Sequence, residues 1–380
     1  MFSKLSKLSL AKALLFKNTP VYVQFYITAR CNLACKQCNI INANSDVREC
    51  TLDEIKVIAD NLATLGVANV LLTGGEPFCR ADLPEIIREF EGRGVHVRMQ
   101  TNGFAAEELI HKAIEYGGKD ISISLDTLDS GLQEQINGGI KNSWHSAVRA
   151  MACFSRYLDP DDSFAALGCV LQRSNVEHIA NVIEFGTQAG WYTSLVPVHV
   201  ASCAAPRNFR TYDQAQRFSA EDYPAVDTLI ERIRAMRKQG YLLYDSDVYL
   251  DDIKRFVRGE PITWRRKNHG VCDAHTLYFS ILPDGAFVPC CDYRLRGGYY
   301  VQAKGFSAVY RSQILKDEVR AIASVCDGCM YGSYPEISIS MRYMKAIIDR
   351  ARLFVLSPPK KPWPKSYEDL LGLADSIRNI

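Results

Sequence analysis

Three cysteines follow one another closely near the start of the chain, in the order Cys31-x3-Cys35-x2-Cys38. Three thiolates within so short a loop can surround one metal centre. A structural zinc ion usually takes four protein ligands, with a second Cys or His pair elsewhere in the chain. A [4Fe–4S] cluster held by three cysteines instead leaves one iron open for an outside ligand. The spacing therefore predicts an iron–sulfur cluster, with a zinc knuckle or unrelated cysteines as the alternatives.

The segment Gly74-Gly75-Glu76-Pro77 is a second candidate for ligand binding, and it comes directly after the apolar run 67–73. Its two glycines let the backbone approach a ligand closely. The carboxylate of Glu76 offers an acceptor to an ammonium group. The segment thus predicts a binding site for an amino group at the end of a strand.

With both motifs in this order, the chain resembles the radical S-adenosylmethionine (SAM) superfamily over residues 21–200. The resemblance implies that Cys31, Cys35 and Cys38 bind a [4Fe–4S] cluster whose open iron is chelated by the amino and carboxylate groups of SAM. It also implies that the motif 74–77 holds the SAM amino group. Further SAM-binding residues implied by the resemblance lie at or near later strand ends: Thr101, Asn102, Ser122, Ser124 and Asp126. The chain departs from many members at Gln37, where they carry an aromatic residue near the adenine.

The resemblance also implies a reaction. The reduced cluster gives one electron to the sulfonium of SAM, which splits into methionine and a 5′-deoxyadenosyl radical, and this radical abstracts hydrogen from a substrate. A reductant such as flavodoxin or ferredoxin supplies the electron, while the protein positions the substrate and excludes water. The rival to such an enzyme is a scaffold that binds SAM and a cluster without turnover. For each later strand-end residue, the rival is an ordinary turn residue.

A second group of cysteines lies in the last third of the chain: Cys272, Cys290, Cys291, Cys326 and Cys329. Four thiolates can saturate a [4Fe–4S] cluster or hold a structural zinc ion, and the spacing alone does not separate the two. The layout resembles the twitch domain, a shortened relative of the SPASM domain, and is similar to that of the 2-deoxy-scyllo-inosamine dehydrogenases. This resemblance implies an auxiliary [4Fe–4S] cluster on Cys272, Cys290, Cys326 and Cys329, with Cys291 as a substitute for Cys290. Such a cluster accepts an electron from a substrate radical, which permits oxidation, or it only holds the C-terminal domain in place.

Strand and helix patterns alternate regularly from residue 21 to residue 200. Strands are predicted at 21–27, 67–73, 94–100, 120–125, 164–171 and 191–199, with a hairpin at 276–289. Helices are predicted at 51–65, 82–91, 105–116, 143–157, 176–189, 221–239, 307–322, 338–355 and 367–378. Such alternation predicts parallel strands and right-handed crossovers, hence an α/β fold. With the resemblance, it implies a partial (β/α)6 TIM-like barrel with a smaller C-terminal α+β cluster-binding domain.

The composition fits a globular cytoplasmic protein. The chain has 380 residues, 47% of them hydrophobic, and 45 Lys and Arg against 43 Asp and Glu, so it offers no charge-based reason to expect a nucleic-acid partner. It lacks a secretory signal and a bilayer-length apolar run, and its 13 cysteines in a reducing compartment indicate metal ligands. The predicted domains are an N-terminal basic amphipathic segment 1–20, a radical SAM barrel 21–200, a linker with helices 201–269, an auxiliary-cluster domain 270–335 and C-terminal helices 336–380.

The sequence says less about the substrate. The resemblance implies oxidation or cross-linking of a peptide or small molecule; the alternative is a lipid or isoprenoid, from a loose likeness of 331–336 to adenosylhopene synthase-like proteins. The basic segment 1–17 is expected either to cap the barrel or to lie on an anionic membrane surface, which would make the protein peripheral to the membrane. Packing roles rather than chemistry are expected for the isolated residues Cys50, Cys79, Cys153, Cys169, Cys203, Arg173 and His199. For Cys169, Cys203, Arg173 and His199, which lie near predicted strand ends, the alternative is a position facing the pocket.

Overall fold

A computed structural model of the chain describes residues 19–35, 37–38, 46–199, 216–265, 272–274, 276–291, 293–326, 328–331, 333–351, 363 and 365–378. The amphipathic segment 1–17 and Cys203, both subjects of predictions from the sequence, lie outside these ranges. Within them, no helix combines the length and the apolar composition that crossing a membrane requires.

An eight-stranded sheet runs through the described chain in the order β6-β5-β4-β3-β2-β1-β7-β8. Its strands are β1 Tyr22–Thr28, β2 Asn69–Gly74, β3 His96–Thr101, β4 Asp120–Ser124, β5 Phe164–Leu171, β6 Tyr192–Pro197, β7 Tyr278–Ile281 and β8 Phe287–Val288. The first six are parallel, and each pairs with the strand before it in the chain. Because β6 and β8 are the two edges, the barrel is open, which confirms the predicted partial barrel.

Helices connect these strands and follow them. They are α1 Leu52–Leu65, α2 Leu83–Glu91, α3 Glu107–Glu115, α4 Ser130–Ile136, α5 Ser143–Tyr157, α6 Ile179–Gln188, α7 Tyr223–Lys238, α8 Asp247–Val257, α9 Phe306–Arg311, α10 Gln313–Val325, α11 Ser333–Arg342, α12 Met344–Ala351 and α13 Tyr367–Arg378. The first helix shows how local sequence sets their ends. The Thr51 side chain accepts from the Glu54 amide, the Glu54 side chain accepts from the Thr51 amide, and Gly66 ends α1 in the left-handed conformation.

Alternate side chains of β1 point toward the hydrophobic core and toward a cavity. Val23, Phe25 and Ile27 are 0% exposed and belong to the main hydrophobic core. Burying each such side chain contributes about 1.5–3 kcal/mol. Gln24 and Tyr26 point to the opposite face, where they line a cavity. The strand therefore anchors the barrel with one face and supplies polar groups with the other.

The predicted hairpin is present, but it shares the sheet of the barrel. β7 and β8 are antiparallel, and β7 also pairs in parallel with β1, placing Tyr278 opposite Tyr22. Sequence reasoning did not predict this pairing, because the two strands are far apart in the chain. As a result, the chain that follows the hairpin begins beside the first strand.

Other differences from the predicted elements are local. The predicted helix 307–322 is divided at Ser312, whose side chain accepts from the Leu315 amide at 3.3 Å and so caps α10. The predicted helix 338–355 starts earlier and is divided between α11 and α12. Two helices were missed, α4 and α8, and the second begins at the cap Ser246.

Candidate active site

A cavity of about 320 Å³ is lined by residues from all six parallel strands. Cys31, Cys35 and Cys38 lie along it, together with Glu76. The first three come from the loop after β1, and Glu76 follows β2. The structure therefore brings the two motifs of the sequence to one space.

Gly74 and Gly75 are needed where β2 meets the end of β1. A Cβ atom on Gly74 would lie 2.2 Å from the Thr28 carbonyl oxygen, and one on Gly75 would lie 2.1 Å from that of Arg30. The amide of Gly75 donates to Thr28, and that of Glu76 donates to Arg30, both at 2.8 Å. From the sequence, these glycines were expected to let the backbone approach a ligand closely. In the structure, their Cβ positions face the protein backbone instead. Their effect is to fix the cysteine loop beside Glu76.

Glu76 is 1% exposed, and its carboxylate is held by three protein donors. Oε1 accepts from the Phe78 amide at 3.0 Å and from the Thr101 hydroxyl at 2.7 Å, and Oε2 accepts from the Asn102 amide at 2.7 Å. Burial raises the pKa of Glu76 to about 7 despite these hydrogen bonds. The groups that shift this pKa include no Lys or Arg of the described chain. The carboxylate thus suits a cation that enters from the cavity.

Asn102 connects this carboxylate to the cysteine loop. Its side-chain amide donates to Asn32 at 2.8 Å and to the Cys31 sulfur at 3.7 Å. Both Thr101 and Asn102 line the cavity, and their contact with SAM stays a prediction. The end of β3 therefore fixes the distance between Glu76 and the first cysteine.

The chain after α4 supports the cysteine loop from its other side. The carbonyl oxygen of Asn137 accepts from the Ala34 amide at 3.3 Å, and its side-chain oxygen accepts from the Cys35 thiol at 3.5 Å. Gly138 has φ of 81°, and a Cβ atom there would lie 2.2 Å from the Ala34 carbonyl oxygen. Only glycine allows this close approach. Sequence reasoning missed Asn137, although its position before two glycines is a signal for such a turn.

The cysteine environment favours a positively charged partner. Burial raises the pKa of the Cys31 thiol to about 12, and Glu76 and Cys38 add to the effect. Burial likewise raises the pKa of Cys35 well above its ordinary value. A bound metal centre reverses this balance because its charge stabilises the thiolate.

Among the described residues, no three Cys, His, Asp or Glu side chains converge in the way that ligands of a single metal ion do. Thiolates on an iron–sulfur cube bind separate irons, so their sulfur atoms lie farther apart than ligands of one ion. The assignment of Cys31, Cys35 and Cys38 to a cluster stays a prediction.

The strand-end residues of β4 differ in position. Ser124 and Asp126 line the cavity, whereas Ser122 does not, and neither does Pro77, which is buried at the start of a short 3₁₀ helix. Asp126 is buried, and its Oδ1 accepts from the Val170 amide at 2.7 Å. Burial raises its pKa to about 6.

Gln37 also lines the cavity, and its buried side-chain oxygen has no protein partner among the described residues.

Three cysteines of the second group, Cys272, Cys291 and Cys329, lie near a pair of stacked tyrosines. The rings of Tyr278 and Tyr334 are 4.4 Å apart. Burial raises the pKa of Tyr278 well above its ordinary value, and the neighbouring Cys272 and Cys329 raise it further. The Tyr334 hydroxyl lies 3.8 Å from the Cys291 sulfur. These cysteines, although far apart in sequence, therefore lie around one aromatic pair.

Cys291 faces the cavity, and Cys290 is absent from its lining. The Cys291 sulfur lies 2.8 Å from the Tyr26 hydroxyl, which also accepts from Gln24 at 2.7 Å. Tyr26 was not among the predicted site residues. The alternation of side chains along β1 could have identified it, because it places Gln24 and Tyr26 on one face.

The residues expected to have packing roles divide into two kinds. Cys50, Cys153 and Cys169 are buried, as predicted, and Cys79 is half-buried. His199 is buried and takes the alternative position expected for a strand-end residue: it lines the cavity, stacked on Tyr331. Sequence reasoning did not choose it because a histidine near a strand end has no local feature that separates packing from binding.

Comparison with known proteins identifies a matching domain. Residues 25–186 match the sequence model of the Radical SAM superfamily. The chain is 30% identical over 174 residues to a probable GTP 3′,8-cyclase of Sulfurisphaera tokodaii, covering 43% of this chain and 51% of that protein. It is 26% identical over 281 residues to the PqqA peptide cyclase of Bradyrhizobium diazoefficiens, covering 71% of this chain and 66% of that protein. The chain thus spans about half of the first relative and just under two thirds of the second.

The fold is similar to that of Streptococcus suis SuiB bound to S-adenosylmethionine, with a TM-score of 0.63 and 16% sequence identity. The superposition covers 86% of this chain and 76% of SuiB. At this identity the likeness is one of fold. The matched domain, the open six-stranded barrel and the meeting of both motifs at one cavity lead to the same conclusion. Residues 25–186 therefore form a Radical SAM domain.

Proposed function

We propose that this chain reductively cleaves SAM and uses the resulting radical to abstract hydrogen from a peptide substrate. The observation that carries the proposal is the meeting of Cys31, Cys35 and Cys38 with Glu76 along one cavity. The three thiolates would hold the cluster and leave one iron for SAM. When bound, the cluster and SAM together supply a carbon-centred radical at the substrate.

The charges of the cavity fit SAM. Glu76 and Asp126 are buried carboxylates with raised pKa values, and the groups that shift them include no Lys or Arg of the described chain. The amino group of SAM would supply the missing partner for Glu76. The orphaned side-chain oxygen of Gln37 would accept from a ligand on the same side. These residues position the cofactor, and the barrel walls keep water from it.

The test is the release of 5′-deoxyadenosine by anaerobically reconstituted, reduced protein. We expect release from the native chain and none from the variant with Cys31, Cys35 and Cys38 all replaced by Ala, which should keep the remaining iron. No release at all from fully loaded native protein would favour a scaffold that binds SAM without turnover. Normal turnover by the triple variant would refute the ligand assignment.

We also propose one auxiliary [4Fe–4S] cluster on Cys272, Cys290, Cys326 and Cys329. Its support is the position of Cys272 and Cys329 beside Tyr278, together with the orientation of Cys291 toward the cavity and Tyr26. Because Cys291 is engaged there, Cys290 is the better ligand. The cluster would accept the electron from the substrate radical, which makes the overall reaction an oxidation.

Iron and zinc analysis with Mössbauer spectroscopy tests this second site. Two clusters correspond to about eight irons per chain. Four irons with one zinc ion would make the site structural and remove the reason to propose oxidation. A structural metal there should also add to the folding free energy of the C-terminal region.

A peptide substrate is favoured by the relatives and by the charge of the cavity. The PqqA peptide cyclase is a relative of this chain. The fold is also similar to that of SuiB in its structure with the precursor peptide SuiA, with a TM-score of 0.61 between the two chains. The relative from Sulfurisphaera tokodaii is a probable GTP 3′,8-cyclase. A triphosphate needs several cations, but Arg294 is the only Lys or Arg among the described residues of the cavity lining. Its guanidinium already donates to the carbonyl oxygens of Cys291 and Tyr293.

Substrate classes are separated by supplying each in turn to the reduced, SAM-loaded enzyme. We expect a panel of short peptides to increase 5′-deoxyadenosine release, and GTP and isoprenoid lipids to leave it unchanged. An increase with GTP alone would overturn the peptide assignment. The electron donor is proposed to be a flavodoxin or ferredoxin in the cytoplasm, and the same assay compares each with dithionite.

A further inference from the structure

His199 lies two residues beyond β6, in the wall of the cavity that the cysteine loop also lines. The residue is 9% exposed. The ring stacks on Tyr331, with centroids 3.8 Å apart, and on Phe256, with centroids 5.3 Å apart. The imidazole is therefore held by aromatic rings on elements distant in the chain.

Neither ring nitrogen of His199 has a hydrogen-bond partner among the described residues. Most buried polar groups in folded proteins are paired, and an exception requires an explanation. Here both nitrogens belong to a ring that borders a cavity. A ligand in that cavity would supply the missing partner.

The charge state of the imidazole ring limits which ligand groups it can bind. Burial lowers the pKa of His199 to about 3, so the imidazole is neutral at physiological pH. A neutral imidazole offers one donor and one acceptor. It therefore suits an uncharged polar group, such as an amide or a hydroxyl.

We propose that the part of the cavity walled by His199 and Tyr331 is a substrate subsite, in which the imidazole hydrogen-bonds an uncharged amide or hydroxyl group of the peptide. This inference rests on the proposed function. Glu76 and the cysteine loop come from β1 and β2, whereas this subsite is built by the chain after β6 and by the segment before α11. Cofactor and substrate would thus be held by different elements of the barrel.

Covalent labelling tests access to the ring without needing turnover. Diethylpyrocarbonate reacts with neutral imidazole nitrogens, and mass spectrometry locates the modified histidine in SAM-loaded holoenzyme. We expect His199 to be labelled with or without SAM. His96, which is 4% exposed and contacts Glu91 and Asp120, is the buried control and should resist. Protection of His199 by SAM alone would reassign it to the cofactor, and no labelling at all would show that the cavity does not present it.

Peptide binding tests the role itself. The probe is a displayed random-peptide library, selected on SAM-loaded holoenzyme. His199→Phe keeps an aromatic ring for the stack and removes both nitrogens, so we expect the selected peptides to bind at least tenfold more weakly, with SAM affinity within twofold of native. His199→Gln, which restores one donor and one acceptor, should recover part of the loss. Equal peptide binding by native enzyme and His199→Phe would overturn the subsite.

Different results would overturn the peptide substrate class and the His199 subsite. If no peptide is selected by the native enzyme while GTP or a lipid stimulates SAM cleavage, the peptide class is wrong. His199→Phe is then compared with native enzyme on that stimulating molecule, and unchanged KM and kcat there would overturn the subsite as well.

Discussion

The backbone amide of Asn102 donates a 2.7 Å hydrogen bond to the carboxylate of Glu76. The side chain of the same residue donates to Asn32 and to the sulfur of Cys31. One residue at the end of β3 thus joins the proposed cofactor-binding carboxylate to the proposed cluster ligand. A displacement of either group should therefore change the position of the other.

Replacing Glu76 by Gln should weaken SAM binding. The change removes a charge-assisted hydrogen bond, a loss of about 1.5–3 kcal/mol or roughly 10–150-fold in affinity. Equilibrium binding of SAM to the reconstituted protein measures it. The matched control is Glu107→Gln, on an exposed carboxylate that pairs with Arg156 at the start of α3. If both variants bind SAM like native protein, the motif 74–77 has been misassigned.

The raised pKa of Glu76 predicts a pH dependence of stability in the absence of SAM. Burial raises this pKa to about 7, above its ordinary value of 4.5, so the folded state binds the proton more tightly than the unfolded state. Stability should therefore fall as the pH rises from about 4.5 to 7, and change little from this source above 8. Thermal unfolding of native protein and Glu76→Gln across this range measures the difference. A difference that grows in the opposite direction would contradict the burial of a carboxylate that has no cationic partner among the described residues.

Replacing Gly75 by Ala should disturb the cysteine loop. The new Cβ would lie 2.1 Å from the Arg30 carbonyl oxygen, so β2 and the loop must separate. Loss of the hydrogen bond from the Glu76 amide to Arg30 follows. We expect lower stability and lower iron content at the first site, measured by thermal unfolding and metal analysis. Gly372→Ala, in α13 with nothing within 4 Å of its Cβ position, is the control and should be neutral or stabilising by about 0.5–1 kcal/mol.

Adjacent cysteines should behave differently in the second group. Cys290→Ser should remove or weaken the auxiliary cluster, while Cys291→Ser should keep about eight irons per chain, because Cys291 contacts Tyr26 in the cavity. Iron content and the Mössbauer spectrum distinguish the two variants. The reverse pattern would make Cys291 the ligand and Cys290 its neighbour.

Several parts of this protein follow from local sequence. The helix Ser143–Tyr157 and the strand Phe164–Leu171 have the predicted bounds, because apolar periodicity and turn residues act over short distances. The same holds for the capping box of α1. The spacing of Cys31, Cys35 and Cys38 likewise predicts their role as cluster ligands, since three ligands in one loop need no distant partner to be recognised.

Tertiary structure alone decided the features that join distant parts of the chain. The pairing of β7 with β1, the contact between Tyr26 and Cys291 and the stacking of His199 on Tyr331 each link segments more than 100 residues apart. The glycines of the motif 74–77 belong here too, because the backbone that excludes a Cβ atom comes from the previous strand. Sequence periodicity records which face of an element is buried. It does not record what covers that face, since the partner is chosen by the packing of the whole barrel.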